Sequence, residues 1–161
     1  MNLRLQRQQV VGGALPEVFA FFADPQNLAT ITPPWLGFRI LEASDRPVRS
    51  GTVIRYRLRL HGFPFQWTSR IAEHVAGHMF ADEQLAGPFR SWYHRHLFRA
   101  VPGGVQIEDI VDYRLPLGPL GRLAHALAVR HQLHRIFAFR AQRIAQLFPS
   151  QPASPDQVVT P

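Results

Sequence analysis

From Leu36 to Leu115 the chain alternates apolar and polar residues with a period of two, in six runs punctuated by turn formers. The runs are Leu36–Ala43, Thr52–Leu60, Phe63–His74, His78–Leu85, Phe89–Ala100 and Val105–Leu115. Between them stand RPVRSG, His61-Gly62, Ala76-Gly77, Gly87-Pro88 and Pro102-Gly103-Gly104. Side chains two apart share a face of a strand, and short turns join antiparallel neighbours. The stretch therefore predicts an antiparallel meander.

The flanks complete the order. Residues 3–11 (LRLQRQQVV) alternate and read as an opening strand, broken by Gly12-Gly13. In LPEVFAFFADPQNLATI, Pro16 and Glu17 suit a helix start, and Val18, Phe19 and Phe22 recur at helical spacing. Asp24-Pro25 divides that segment into two short helices, the second over about Gln26 to Ile31. After Pro116-Leu117-Gly118-Pro119, Leu120–Phe148 reads as one long helix. Val129, Leu133, Ile136, Phe137, Ile144, Leu147 and Leu123 fall on one arc, and Arg135, Gln142, Arg143 and Gln146 lie opposite. Arg130 and Arg140 sit inside or at the edge of the apolar arc, where a simple surface helix would not put them. Residues 149–161 (PSQPASPDQVVTP) read as a disordered Pro/Ser-rich tail beyond a single domain over 1–148.

The expected fold is thus α+β: a curved seven-stranded antiparallel sheet wrapped on a long C-terminal helix, with two short helices after strand 1. Such a sheet is about 30 Å across at ~4.8 Å per strand. A single helix is ~10 Å wide with its side chains. It covers only part of the inner face, and the remainder is either filled by aromatic residues or left hollow. That shortfall is the physical argument for ligand binding.

Composition removes other classes. There is no apolar run of the ~18 residues that a membrane span needs. The opening MNLRLQRQQVV spreads arginines and has no apolar core, so a signal peptide is not expected. With no cysteine, disulfides and thiolate metal sites are out, and a cytoplasmic location is compatible. The net charge is +7, but all 18 basic residues are arginine, a chain-wide habit rather than selection at phosphate sites. Arg55, Arg57 and Arg59 share one strand face opposite Ile54, Tyr56, Leu58 and Leu60, which reads as a solvated outer face. A nucleic-acid or acidic partner there is the lesser alternative.

The phrases NLATITPPWLGFRIL, GTVIRYRLRLHGFPFQWTSRI, FADEQLAGPFRSWYHRHLF and DYRLPLGPLGRL resemble the START/Bet v1-like (SRPBCC) superfamily. They look like its bacterial ligand-binding or polyketide cyclase/dehydrase-like branch, over about residues 2–148. The resemblance implies a helix-grip fold, with a hydrophobic cavity between the last helix and the sheet, gated by the short helices and loops. Such families include lipid carriers, hormone receptors, quinone-binding proteins and aromatase/cyclases, so fold alone does not assign activity.

The stretch SWYHRHLF sets Trp92, His94, His96 and Phe98 on one side of a strand. Three readings of the histidines are open. As metal ligands they would need a third donor, for which Asp109 on the next strand is available; Ala100 stands where cupin-like sites carry glutamate. As a catalytic pair, a histidine oriented by Asp109 would serve as general acid or base. As polar lining, imidazole and carboxylate would satisfy each other in an otherwise apolar wall. The last is adopted, with no cofactor and no metal assigned. His125, His131 and His134 spread round the helix and read as surface residues. Trp35 suits either a cap on the cavity mouth or a packing anchor.

The expected lining is Tyr56, Trp67, Gln84, Trp92, His94, His96, Asp109 and Tyr113, with Phe137 from the helix. Gln84 enters on the resemblance, because alternation leaves the face of strand 78–85 open. The expected function is binding of a hydrophobic or aromatic small molecule, such as a lipid, polyketide or quinone-like compound. The alternative is an aromatase/cyclase or dehydratase acting on a polyketide-like substrate.

Overall fold

The computed structural model describes residues 3–60, 62–116, 118 and 128–150. The chain runs β1 (Leu3–Val11), α1 (Leu15–Ala23), α2 (Leu28–Ile31), β2 (Arg39–Ala43), β3 (Val53–Leu60), β4 (Phe63–Val75), β5 (Met79–Ala86), β6 (Ser91–Val101), β7 (Gly104–Arg114) and α3 (Arg130–Leu147). Single turns of 3₁₀ helix occupy Pro25–Asn27 and Pro34–Leu36.

Seven strands form one sheet in the order β1-β7-β6-β5-β4-β3-β2, every pair antiparallel. The meander read from the alternation is present, and the opening strand closes onto β7. Register shifts at Ile40/Glu42, Thr68/Ser69 and Ile71/Glu73 insert extra residues; such bulges bend a strand and increase its twist. The fold is the helix-grip α+β arrangement.

On the inner face two apolar clusters divide the core. One gathers Val18, Phe19 and Phe22 of α1 with Phe80, Phe98, Ile107 and Ile144. The other joins Trp67 and Trp92 to Leu133 and Phe137 of α3. The outer face is polar: Arg4 and Arg95 each meet Asp112 at 2.7 Å. Arg55, Arg57 and Arg59 are exposed there, with Arg55 2.8 Å from Glu42, so part of that charge is already met.

Differences from the sequence expectation have local causes. Phe63 has the inward parity of Phe65 and Trp67 but is 77% exposed, because it sits at the β3–β4 turn beyond the covered part of the sheet. In the predicted helix over 120–148, the part 120–127 lies outside the described residues, as do residues 151–161 of the predicted tail. From Arg130 onward the arc is as expected, with Leu133, Phe137 and Ile144 buried and Arg135, Gln142, Arg143 and Gln146 exposed.

The end of α3 is fixed to the turn between β1 and α1. Gly12 N–H donates to Phe148 O at 3.0 Å. A Cβ on Gly12 would stand 2.1 Å from Pro149 O, so only glycine permits that approach. The join holds α3 across the sheet at its C-terminal end. Its N-terminal half faces the sheet through Leu133 and Phe137, which cluster with Trp67 and Trp92.

Candidate functional site

A cavity of about 400 Å³ lies between α3 and the sheet, within the ~300–1,000 Å³ range of small-molecule sites. Its floor is Ile54, Tyr56 and Leu58 of β3 with Phe65, Trp67 and Ser69 of β4. Trp92, His94 and His96 of β6 form one wall, and Leu133, Ile136, Phe137 and Arg140 of α3 form the roof. Leu28 and Ile31 of α2 complete the lining. Period-two alternation explains each strand contribution, and the 3–4 residue steps of α3 explain the roof.

At one end the wall becomes polar, and strand register explains how. Asp82 lies opposite His94 across β5–β6, and Asp109 lies opposite His96 across β6–β7. Four same-face side chains on three strands thus meet in two direct pairs and two diagonals. His94 Nε2 donates to Asp109 Oδ1 at 3.0 Å. His96 Nδ1 is 2.8 Å from the same oxygen, but too far from linear for a hydrogen bond. The remaining ring nitrogens turn the other way: His94 Nδ1 is 3.7 Å and His96 Nε2 3.4 Å from Asp82 Oδ2. Trp67 Nε1 donates to Ser69 Oγ at 3.0 Å, and Ser69 reaches Asp82 Oδ1 at 3.5 Å.

Burial and neighbouring charge set the protonation. Burial raises the Asp109 carboxyl, yet the hydrogen bond from His94 and the contact with His96 hold it well below the usual range. Asp82 is raised by burial too, but His96, His94 and Arg140 bring it below its ordinary value. For His94, burial and the nearby His96 lower the pKa despite both carboxylates. For His96, burial is outweighed by Asp109 and Asp82, and the pKa rises. The two imidazoles are thus shifted in opposite directions, with His96 the more basic of the pair because it lies between two carboxylates.

Of the expected lining, Tyr56, Trp67, Trp92, His94, His96 and Phe137 border the cavity. Gln84 does not: its Nε2 donates to Phe89 O at 2.7 Å and its Oε1 accepts from Phe89 N at 3.3 Å, tying down the turn into β6. Asp109 does not reach the cavity either. It lies behind the two imidazoles, and the carboxylate whose oxygen groups with the two histidines on the cavity side is that of Asp82. Tyr113 is buried against Phe89 and Trp92, at ring separations of 5.7 and 5.9 Å, instead of lining the space.

Among the cavity residues missed by sequence reasoning, Asp82, Ser69 and Arg140 bear on the polar cluster. Asp82 carried the available signal, since it has the parity of Gln84. Ser69 lay on the inward face of its strand. Arg140 was the unexplained arginine of the apolar arc: it lines the cavity, with its guanidinium carbon 5.6 Å from the centre of the Phe22 ring. Its Nε is buried without a hydrogen-bond partner among the described residues. Trp35 packs on Phe139 at 5.5 Å and under Arg135 at 5.3 Å, an anchor on α3 outside the lining. His131 and His134 are exposed, and His125 lies outside the described residues. Among the described residues, no helix is long and apolar enough to cross a membrane.

Comparison with solved structures gives the same architecture at low sequence identity. Protein CV1439 from Chromobacterium violaceum aligns with a TM-score of 0.72 at 16% identity, covering 92% of this chain and 99% of that one. Zhui aromatase/cyclase from Streptomyces sp. R1128 aligns at 0.66 and 16%, covering 92% and 98%. Ginseng major latex-like protein 151 from Panax ginseng aligns at 0.64 and 13%, also covering 92% and 98%. No curated protein matches the sequence. The family described as polyketide cyclase / dehydrase and lipid transport matches residues 11–137. The chain belongs to that family, with a START/Bet v1-like fold.

Proposed function

We propose that the protein binds a hydrophobic or aromatic small molecule, of lipid, polyketide or quinone-like character, in the cavity under α3. The observation that carries this reading is a space of about 400 Å³ walled mainly by aromatic and aliphatic side chains, with Asp82, His94, His96 and Arg140 among its polar lining. A ligand burying about 300 Å² of apolar surface would gain about 7 kcal/mol at ~25 cal/mol per Å². Association entropy opposes that gain, so polar contacts to Asp82, His94, His96 and Arg140 would choose orientation and add affinity.

A second reading, cyclase or dehydratase chemistry, draws on the same polar end. Two imidazoles and a carboxylate face the cavity, and Asp109 behind them supports the histidines. A ketone or hydroxyl directed there would meet groups able to donate and accept protons.

Native mass spectrometry of the purified full chain, followed by organic extraction and loading with 1-N-phenylnaphthylamine, tests the binding reading. The expected result is one small apolar molecule per chain, or one equivalent of probe where the protein purifies empty. Absence of both would overturn it. Conversion of a loaded polyketone, lost in His94→Ala, would instead favour the enzymatic reading.

A further inference from the structure

We propose that Asp82, His94 and His96 form a mononuclear site for a divalent first-row transition metal, open to the cavity. Asp82 Oδ2, His94 Nδ1 and His96 Nε2 all lie within 4.8 Å of one another. The two carboxylate–imidazole separations are 3.7 and 3.4 Å. These are long for hydrogen bonds. They approach the ~3.3 Å between ligand atoms that a tetrahedral ion with bonds of ~2.0–2.1 Å requires. Small side-chain rotations would close the difference.

The hydrogen bonding points the same way. Asp109 takes the Nε2–H of His94, which leaves the lone pair of His94 Nδ1 directed toward the Asp82 carboxylate. A ring-nitrogen lone pair and a carboxylate oxygen that face each other at 3.7 Å in a buried wall make a donor set suited to a cation. One divalent ion meets all three atoms.

The surroundings are those of a supported metal centre. Ligating histidines typically pass their other nitrogen to a carboxylate, and ligating carboxylates are themselves hydrogen-bonded. Asp109 stands at the outer nitrogens of both rings, and Ser69 approaches the free oxygen of Asp82. Two imidazoles with one carboxylate suit zinc, iron(II) or cobalt(II) better than magnesium or calcium. All three ligands line the cavity, so the vacant coordination positions face a bound molecule. A carbonyl or phenolate oxygen of that molecule would fill one.

The test is a titration of the full chain, stripped with chelator, using cobalt(II) chloride and then zinc. The expected result is visible d–d absorption saturating at one equivalent and abolished by zinc. Asp82→Asn should weaken cobalt binding at least about 100-fold, since loss of outer-sphere partners alone costs 10–100-fold. The double variant His131→Ala/His134→Ala, which removes two exposed imidazoles of α3, should leave the titration unchanged. Zinc-edge X-ray absorption on the wild type needs no variant to fold, and should report two imidazoles and an oxygen donor. No saturable cobalt binding, binding equal in Asp82→Asn, or a zinc shell without two imidazoles would each overturn the site. Because metal is titrated without organic ligand, failure here leaves the cavity reading standing.

Discussion

Asp109→Ala is expected to destabilise the fold by about 3–5 kcal/mol, the cost of removing one partner from a buried charge cluster. For a chain of this size that corresponds to a fall in Tm of roughly 10–15 °C. Asp109 is buried behind His94 and His96 and does not touch the cavity, so its loss should appear first in stability rather than in ligand contact. Urea unfolding in chelated buffer measures it. The effect should depend on pH in a definite direction. The depressed Asp109 contributes stability above the unfolded carboxyl value of about 3.9, lost as pH falls through its folded value. The raised His96 contributes stability below the unfolded imidazole value of about 6.5, lost as pH rises through its folded value. The gap between wild type and variant should therefore be widest between about pH 4 and 6.5 and narrow on both sides. A gap that keeps widening above pH 7 would show that the pairing does not involve a charged histidine.

Ile136→Trp is expected to lower affinity for an apolar probe about tenfold or more, equivalent to about 1.4 kcal/mol. Ile136 lines the roof of the cavity from α3, so the indole has free volume to occupy. In a packed core an enlarged side chain costs about 1–3 kcal/mol through forced rotamers and backbone shifts. Here the hollow absorbs the ring, and stability should change by less than about 1 kcal/mol. Paired probe titration and urea unfolding distinguish the cases. Lost stability with unchanged probe affinity would mean that the space under α3 is not where the probe binds.

Most of the fold was legible because period-two alternation survives in β3, β4, β6 and β7, where one face meets water and the other the interior. Tyr56, Trp67, Trp92 and His94 followed from parity alone. Parity was silent for β5, where either set of alternate residues could face inward. Gln84, placed inside on the resemblance because alternation left its strand's face open, instead hydrogen-bonds to the Phe89 backbone after Gly87-Pro88. Alternation also gives a face without giving depth. Asp109 and Tyr113 are on the inner face, yet register with β6 sets them beneath His96 and beside Trp92. Arg140 required the tertiary position of α3, because only the neighbouring Phe22 and the open cavity explain an arginine in that arc.

Xenon-pressurised crystals probe the hollow most directly, since dry apolar cavities in proteins take up this gas. An empty chamber should give xenon density between Ile54 and Trp67 on the sheet and Leu133 and Phe137 on α3. Continuous side-chain density through that region, with no xenon bound, would mean that the helix and sheet enclose no space for a ligand.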